Sequence, residues 1–182
     1  MTEKQFLTPL PILDEHNVYR QVHIQDLHPK ERDHPERYPK PSHFKPDPDG
    51  LSVYWNQHID PEGVYNIIGL SYKANKTEFK DPANFFVFSI PVLYLRAVEG
   101  ISDVSHSPRY IGNPAPIGSP NIYSHASIVY SDDEEIRLKL SDYCKSNHAS
   151  CHCKIDFSIV EKKVQELRQR LDNTIYHRLP ED

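Results

Sequence analysis

The sequence has few glycines and no long apolar run, and each shortage excludes a class of protein. Its six glycines among 182 residues form neither a Walker loop nor a dinucleotide-binding fingerprint. A Gly-x-Ser-x-Gly elbow is also absent. No stretch of about 18 apolar residues occurs, so we expect no transmembrane helix. The amino terminus lacks the basic flank and apolar stretch of a signal peptide, so we expect no secretion signal.

Charge and cysteine content narrow the expected environment and partners. The formal net charge is −5, from 26 acidic and 21 basic residues, which removes the usual electrostatic basis for binding nucleic acid. The three cysteines all lie between Cys144 and Cys153. This odd, clustered set is unlike the disulfide framework of a secreted protein. We therefore expect a cytoplasmic protein that binds neither membranes nor nucleic acid.

Alternation of apolar and polar residues predicts five strands. The predicted strands are residues 18–24, 51–55, 85–90, 101–104 and 123–130. Short helices are expected after Asp60 and Pro91, and capping boxes predict two longer helices that start at Ser131 and Ser158. These elements indicate an α+β fold with one mixed or mostly antiparallel sheet and two C-terminal helices.

The C-terminal helix provides the first hypothesis about function. Residues 1–150 are predicted to form an α+β domain with two proline-rich loops, and residues 151–182 an amphipathic helix. Its apolar stripe consists of Val160, Val164, Leu167, Leu171 and Ile175. Because such a helix is marginal alone in water, the stripe must pack on its own domain, on a second copy or on another protein. This favours an intracellular protein-binding or accessory protein that acts through the helix and the proline-rich loops.

Four polar residues on predicted strands form a candidate ligand site and support an alternative function. They are Arg20, Ser52, Tyr54 and His125. Arg20 falls on the more apolar face of its strand, where a guanidinium needs a carboxylate, a phosphate or solvent. His125 can serve as an acid, a base or a donor. The alternative function is an enzyme that binds or cleaves a nucleotide; equally, these groups could be buried and satisfy one another.

The cysteine cluster is a candidate metal site. Cys144, His148, Cys151 and Cys153 are ligand types that Zn²⁺ prefers, and they lie within ten residues. Structural zinc usually takes ligand pairs from separated elements, so a helix end that happens to carry sulfur groups is the alternative. We expect no cofactor, with zinc as the alternative.

Four short motifs resemble a pattern in small bacterial proteins of unassigned function. They are YR at Tyr19, FKPD from Phe44, DGLSVY from Asp49 and HA at His125. The resemblance covers Val18 to about Tyr130 and excludes the cysteine cluster and the final helix. It implies no established activity.

The YR and SVY strands are also similar in layout to ADP-ribosyltransferase-like and NAD-cleaving toxin folds. That resemblance implies that Arg20 grips the dinucleotide pyrophosphate and that Ser52 or Tyr54 supports the nicotinamide ribose. The later glutamate of those enzymes is missing from its expected strand, and Glu134 and Glu135 follow in a helix cap instead. The resemblance implies nucleotide binding or cleavage, related to toxin or defence systems.

Overall fold

One five-stranded sheet organises the computed structural model, which describes residues 8–30, 36–110, 115 and 118–170. The strands are β1 (Asn17–His23), β2 (Leu51–Trp55), β3 (Phe85–Pro91), β4 (Ile101–His106) and β5 (His125–Tyr130). The α-helices within these ranges are α1 (Pro61–Leu70), α2 (Val92–Ala97), α3 (Glu134–Ser146), α4 (His148–Cys151) and α5 (Phe157–Arg170). None of these described helices is long and apolar enough to cross a membrane.

The strand order is β3-β1-β2-β5-β4, and every neighbouring pair is antiparallel. The predicted α+β fold with five strands and C-terminal helices is therefore confirmed. Each predicted strand is present with its ends within two residues of the prediction. Alternation succeeds because side chains of a strand point to opposite faces, and one face of this sheet is strongly apolar.

The two faces of the sheet pack against different helices. On the first face, Val18, Val53 and Trp55 are fully buried with side chains of α2 and α3 in the larger apolar cluster. On the second face, α1 and α5 form a smaller cluster with Val87 and Tyr54. That smaller cluster leaves room on the second face for a polar surface at β2, β5 and β4.

Aspartates, not the predicted serines, cap the two longer C-terminal helices. Asp133 accepts a hydrogen bond from the backbone N–H of Glu135, and α3 begins one residue after it. Asp156 accepts from the N–H of Ser158, and α5 begins at Phe157. A carboxylate is the stronger acceptor and also interacts favourably with the positive end of the helix dipole. The capping boxes predicted at Ser131 and Ser158 are therefore wrong by two residues.

The described part of the C-terminal helix packs on its own domain. Its buried positions are Val160, Val164 and Leu167. They lie against α1, where a Cβ atom on Gly69 would come within 2.7 Å of Cγ2 of Val164. The remaining stripe positions, Leu171 and Ile175, lie outside the described residues.

We expect Val164→Ala to lower the free energy of unfolding by about 2 kcal/mol, because it removes buried methyl groups and leaves a cavity. Urea denaturation followed by circular dichroism measures this change. Gln165→Ala is the matched control, since the adjacent side chain is exposed, and should change stability by less than about 0.5 kcal/mol. Equal effects of the two substitutions would contradict the packing of this stripe.

Candidate functional site

Ser52, Tyr54 and His125 lie on the same face of the sheet. The register pairs Tyr54 directly with His125 and Ser52 with Ser127, and residues directly opposite in an antiparallel pair share a face. Ser107 follows β4 and donates its backbone N–H to the carbonyl of His125. We call these residues, Ser52, Tyr54, Ser107, His125 and Ser127, the serine–histidine face.

A chain of hydrogen bonds joins the side chains of this face. Nδ1 of His125 lies 2.7 Å from the carbonyl oxygen of Ser107 and 2.9 Å from its Oγ. Nε2 of His125 lies 3.2 Å from Oγ of Ser52. Oγ of Ser107 is also 2.9 Å from Oγ of Ser127. The imidazole thus joins the hydroxyls of Ser52 on β2 and Ser107 at the end of β4, and Ser107 extends the chain to Ser127 on β5.

The carbonyl of Ser107 fixes the tautomer of His125. Because a carbonyl oxygen only accepts hydrogen bonds, Nδ1 must carry the proton. Nε2 then presents its lone pair to Ser52, whose hydroxyl donates. Burial is the main cause that lowers the pKa of His125 to about 4; the nearby Arg109 and His106 act in the same direction, and the hydrogen bond to the Ser107 carbonyl acts against them. The imidazole is therefore neutral at pH 7 and has the form of a general base.

The face combines buried and accessible groups. His125 is only 6% exposed, whereas Ser52 and Ser107 are half-buried. Burial raises the pKa of Tyr54 to about 12, so its phenol keeps its proton and is a hydrogen-bond donor. The face thus presents the half-buried hydroxyl of Ser52 next to a neutral base, with the phenol of Tyr54 buried beside them.

Arg20 lies on the opposite face and holds two strands together. β1 and β2 pair only at Val18 with Trp55 and at Tyr19 with Tyr54. Beyond those pairs, the Arg20 guanidinium donates to the carbonyl of Ser52 at 2.6 Å and to that of His43 at 3.1 Å. It replaces backbone pairing where the strands separate. Burial lowers the pKa of Arg20 to about 10, so the guanidinium remains charged at pH 7.

The sequence-predicted site therefore comes together in part. Ser52, Tyr54 and His125 meet on one face, whereas Arg20 lies on the other face of its strand and its guanidinium donates to the backbone carbonyls of Ser52 and His43. Sequence reasoning missed Ser127, although its spacing of two from His125 on one strand places both on the same face. It also missed Ser107, whose place depends on the pairing of β4 with β5 and leaves no local signal.

The cysteine cluster contributes to the core in the described structure. The thiols of Cys144 and Cys151 are buried, and Sγ of Cys151 donates to the backbone carbonyl of Cys144; the neighbouring Cys151 side chain and burial raise the pKa of Cys144. Burial raises the pKa of Cys153 to about 11, and metals bind thiolates, not thiols. Among the described residues, no three His, Cys, Asp or Glu side chains are grouped so that they could hold a metal ion. Zinc bound by these cysteines and His148 thus has no geometric support.

Comparisons of the chain with protein-family models, with curated proteins and with solved structures found no match. The geometry of the serine–histidine face is therefore the basis for assigning a function.

Proposed function

We propose that this protein is an enzyme that cleaves an ester, with Ser52 as its nucleophile and His125 as its general base. One observation carries the proposal: Nε2 of His125 faces the Ser52 hydroxyl while its Nδ1–H is held by the Ser107 carbonyl. A nucleophile, a base and a group that orients the base are the three parts that activate a serine. Here a backbone carbonyl orients the base in place of a carboxylate.

The reaction follows from these contacts. Oγ of Ser52 forms a bond to the ester carbonyl carbon while its proton moves to Nε2 of His125. The bond to the leaving alcohol breaks, the alcohol oxygen takes the electron pair, and Nε2 returns the proton to it. Water then attacks the acyl group on Ser52 with His125 again as the base, which releases the acid and restores the serine. Tyr54 supplies a protonated phenol on the same face.

The same face gives less support to NAD cleavage by glycosyl transfer. That reaction develops positive charge on the ribose and needs a nearby carboxylate. Within the described residues, the hydrogen bonds of His125, Ser52, Ser107 and Ser127 involve hydroxyl and carbonyl groups only. Nucleotide binding or cleavage stays a prediction. The contacts of His125 with Ser52 and Ser107 support activation of Ser52 better than they support glycosyl transfer.

A fluorophosphonate probe tests the proposal without knowledge of the substrate. The probe phosphonylates an activated serine and releases fluoride, and we expect mass spectrometry to find the adduct on Ser52. His125→Gln should slow this labelling at least about 30-fold, because it removes the base. In the wild type the labelling rate should rise with a midpoint near pH 4, the pKa of His125, instead of near the ordinary value.

Ser105→Ala is the matched control for this experiment. Ser105 lies directly opposite Ser127 on β4, so it shares the face, but no described hydrogen bond joins it to His125. We expect its adduct yield on Ser52 to equal that of the wild type. A folded wild-type protein without an adduct on Ser52, or one labelled equally fast after His125→Gln, would overturn the proposed function.

Protein binding through the C-terminal helix stays a prediction. Val160, Val164 and Leu167 of its stripe are buried within the domain, so a partner would contact parts of the helix other than these three positions. A groove of about 410 Å³ runs between α5 and residues 79–83, and the side chain of Phe157 lies at it and is 41% exposed.

A further inference from the structure

Arg109 lies on the segment that extends the pairing of β4 and β5 beyond their ends. Backbone hydrogen bonds of 2.8 Å in both directions join it to Ile122. Residues directly opposite each other share a face, and Ile122 packs against the apolar cluster that includes Tyr54. Arg109 is therefore on the same side of the sheet as the serine–histidine face, and its side chain is exposed.

The charges that act on this face are basic, although the whole chain carries a net charge of −5. The charge of Arg109 lowers the pKa of both His125 and Tyr54. His106 also lowers the pKa of His125, and Arg20 also lowers the pKa of Tyr54. No acidic group of the described chain contributes at either residue. Arg109 also forms no ion pair with the described residues. An exposed arginine thus lies on the side of this polar surface, without a counter-charge among the described residues.

We propose that the serine–histidine face binds a phosphate group of its substrate and that Arg109 anchors this group. The inference rests on the proposed function, because it names the class of ester on which Ser52 acts: one that carries a phosphate near the bond to be cleaved. A guanidinium matches phosphate oxygens with two parallel N–H donors. The half-buried hydroxyl of Ser107 offers an additional donor on the same face. A phosphate, with more acceptor oxygens than a carboxylate, uses more of these groups.

Protection of Ser52 from the fluorophosphonate tests this inference. The labelling rate is measured with inorganic phosphate, with AMP and with succinate, each at the ionic strength of a sodium chloride reference. We expect phosphate and AMP to slow the labelling of the wild type, and succinate and chloride to have little effect. In Arg109→Gln, about tenfold more phosphate should be needed for the same protection, since the loss of one charged bidentate contact is a change of this size.

Arg170→Gln is the matched control, because it removes an equal charge from an exposed arginine on α5. Its protection by phosphate should match that of the wild type. Unchanged protection in Arg109→Gln, or protection by succinate but not by phosphate, overturns the inference while labelling of Ser52 still supports the enzyme. If Ser52 is not labelled, the proposed function fails. The melting temperature then tests whether Arg109 binds phosphate: phosphate must raise the melting temperature of the wild type and must not raise that of Arg109→Gln.

Discussion

Replacing Arg20 with alanine is expected to lower the free energy of unfolding by about 2–4 kcal/mol, because it removes two hydrogen bonds from a charged donor at a half-buried position. The guanidinium is the donor for the carbonyls of Ser52 and His43. Without it, both half-buried acceptors lose a charged donor, and each acceptor left unsatisfied costs about 1–3 kcal/mol. β1 and β2 also lose the contact that joins them beyond their two paired positions. Urea denaturation at neutral pH measures the change.

Arg96→Ala provides the comparison for this experiment. Arg96 is an exposed arginine that also donates to a carbonyl, that of Ile12, and pairs with Asp14. Exposed pairs of this kind contribute about 0–1 kcal/mol, so we expect a small effect. Arg20→Lys should recover part of the loss, since an ammonium keeps the charge but lacks the planar fork. If Arg96→Ala and Arg20→Ala destabilise equally, the structural role given to Arg20 is wrong.

Acidification from pH 6.5 towards pH 4 is expected to destabilise the protein by several kcal/mol, before most carboxylates titrate. Burial is the main reason that the pKa values of His43, His125 and His152 fall to about 4 from 6.5. In this range the unfolded chain binds up to three protons that the folded protein does not bind. Stability is therefore complete above pH 6.5 and decreases as the pH falls through this window.

The number of protons involved is measurable from the slope of unfolding free energy against pH. Urea denaturation between pH 7.5 and pH 4.5 should give a slope that approaches about 4 kcal/mol per pH unit for three histidines. His152→Phe keeps a ring against Phe86, on which the imidazole stacks, and should reduce the slope by about one third. The free energy of unfolding of His152→Phe at pH 7.5, where the imidazole of the wild type is neutral, measures the effect of the changed packing separately. A flat dependence in the wild type between pH 6.5 and pH 4.5 would contradict the buried, neutral state of these histidines.

Local sequence signals were sufficient to predict the strands and the face on which each side chain lies. The alternation around Arg20 predicted that it lies on the apolar face of β1. In the structure it shares that face with Val18 and Val22, and Tyr19 lies on the other face. Similarly, the spacing of Ser52 and Tyr54 predicted that they share a face. These features depend only on the period of two along a strand, so neighbouring residues are enough to determine them.

The partners of these side chains could not be predicted from local signals. The carbonyls that bind Arg20 belong to β2 and to the short 3₁₀ turn at His43, and their approach depends on the strand order. The contact of Ser107 with His125 requires β4 to pair with β5, which no local pattern specifies. The predicted helix starts were wrong for a different reason: near each start a serine and an aspartate lie two residues apart, both can cap a helix, and the aspartate does so.

The position of β1 has a consequence for how the chain is made. β1 lies inside the sheet, and its main neighbour β3 pairs with it along its whole length although it comes about 60 residues later. At about 5–20 residues per second, a ribosome needs roughly 3–14 s to extend the chain from the end of β1 to the end of β3. Throughout that interval the edge of β1 that β3 later covers is open, and the other edge is open until β2 has been made. Chaperones that bind extended apolar segments therefore have several seconds in which to bind β1. Refolding in vitro should be slow, because the contacts of β1 with β3 are distant in sequence.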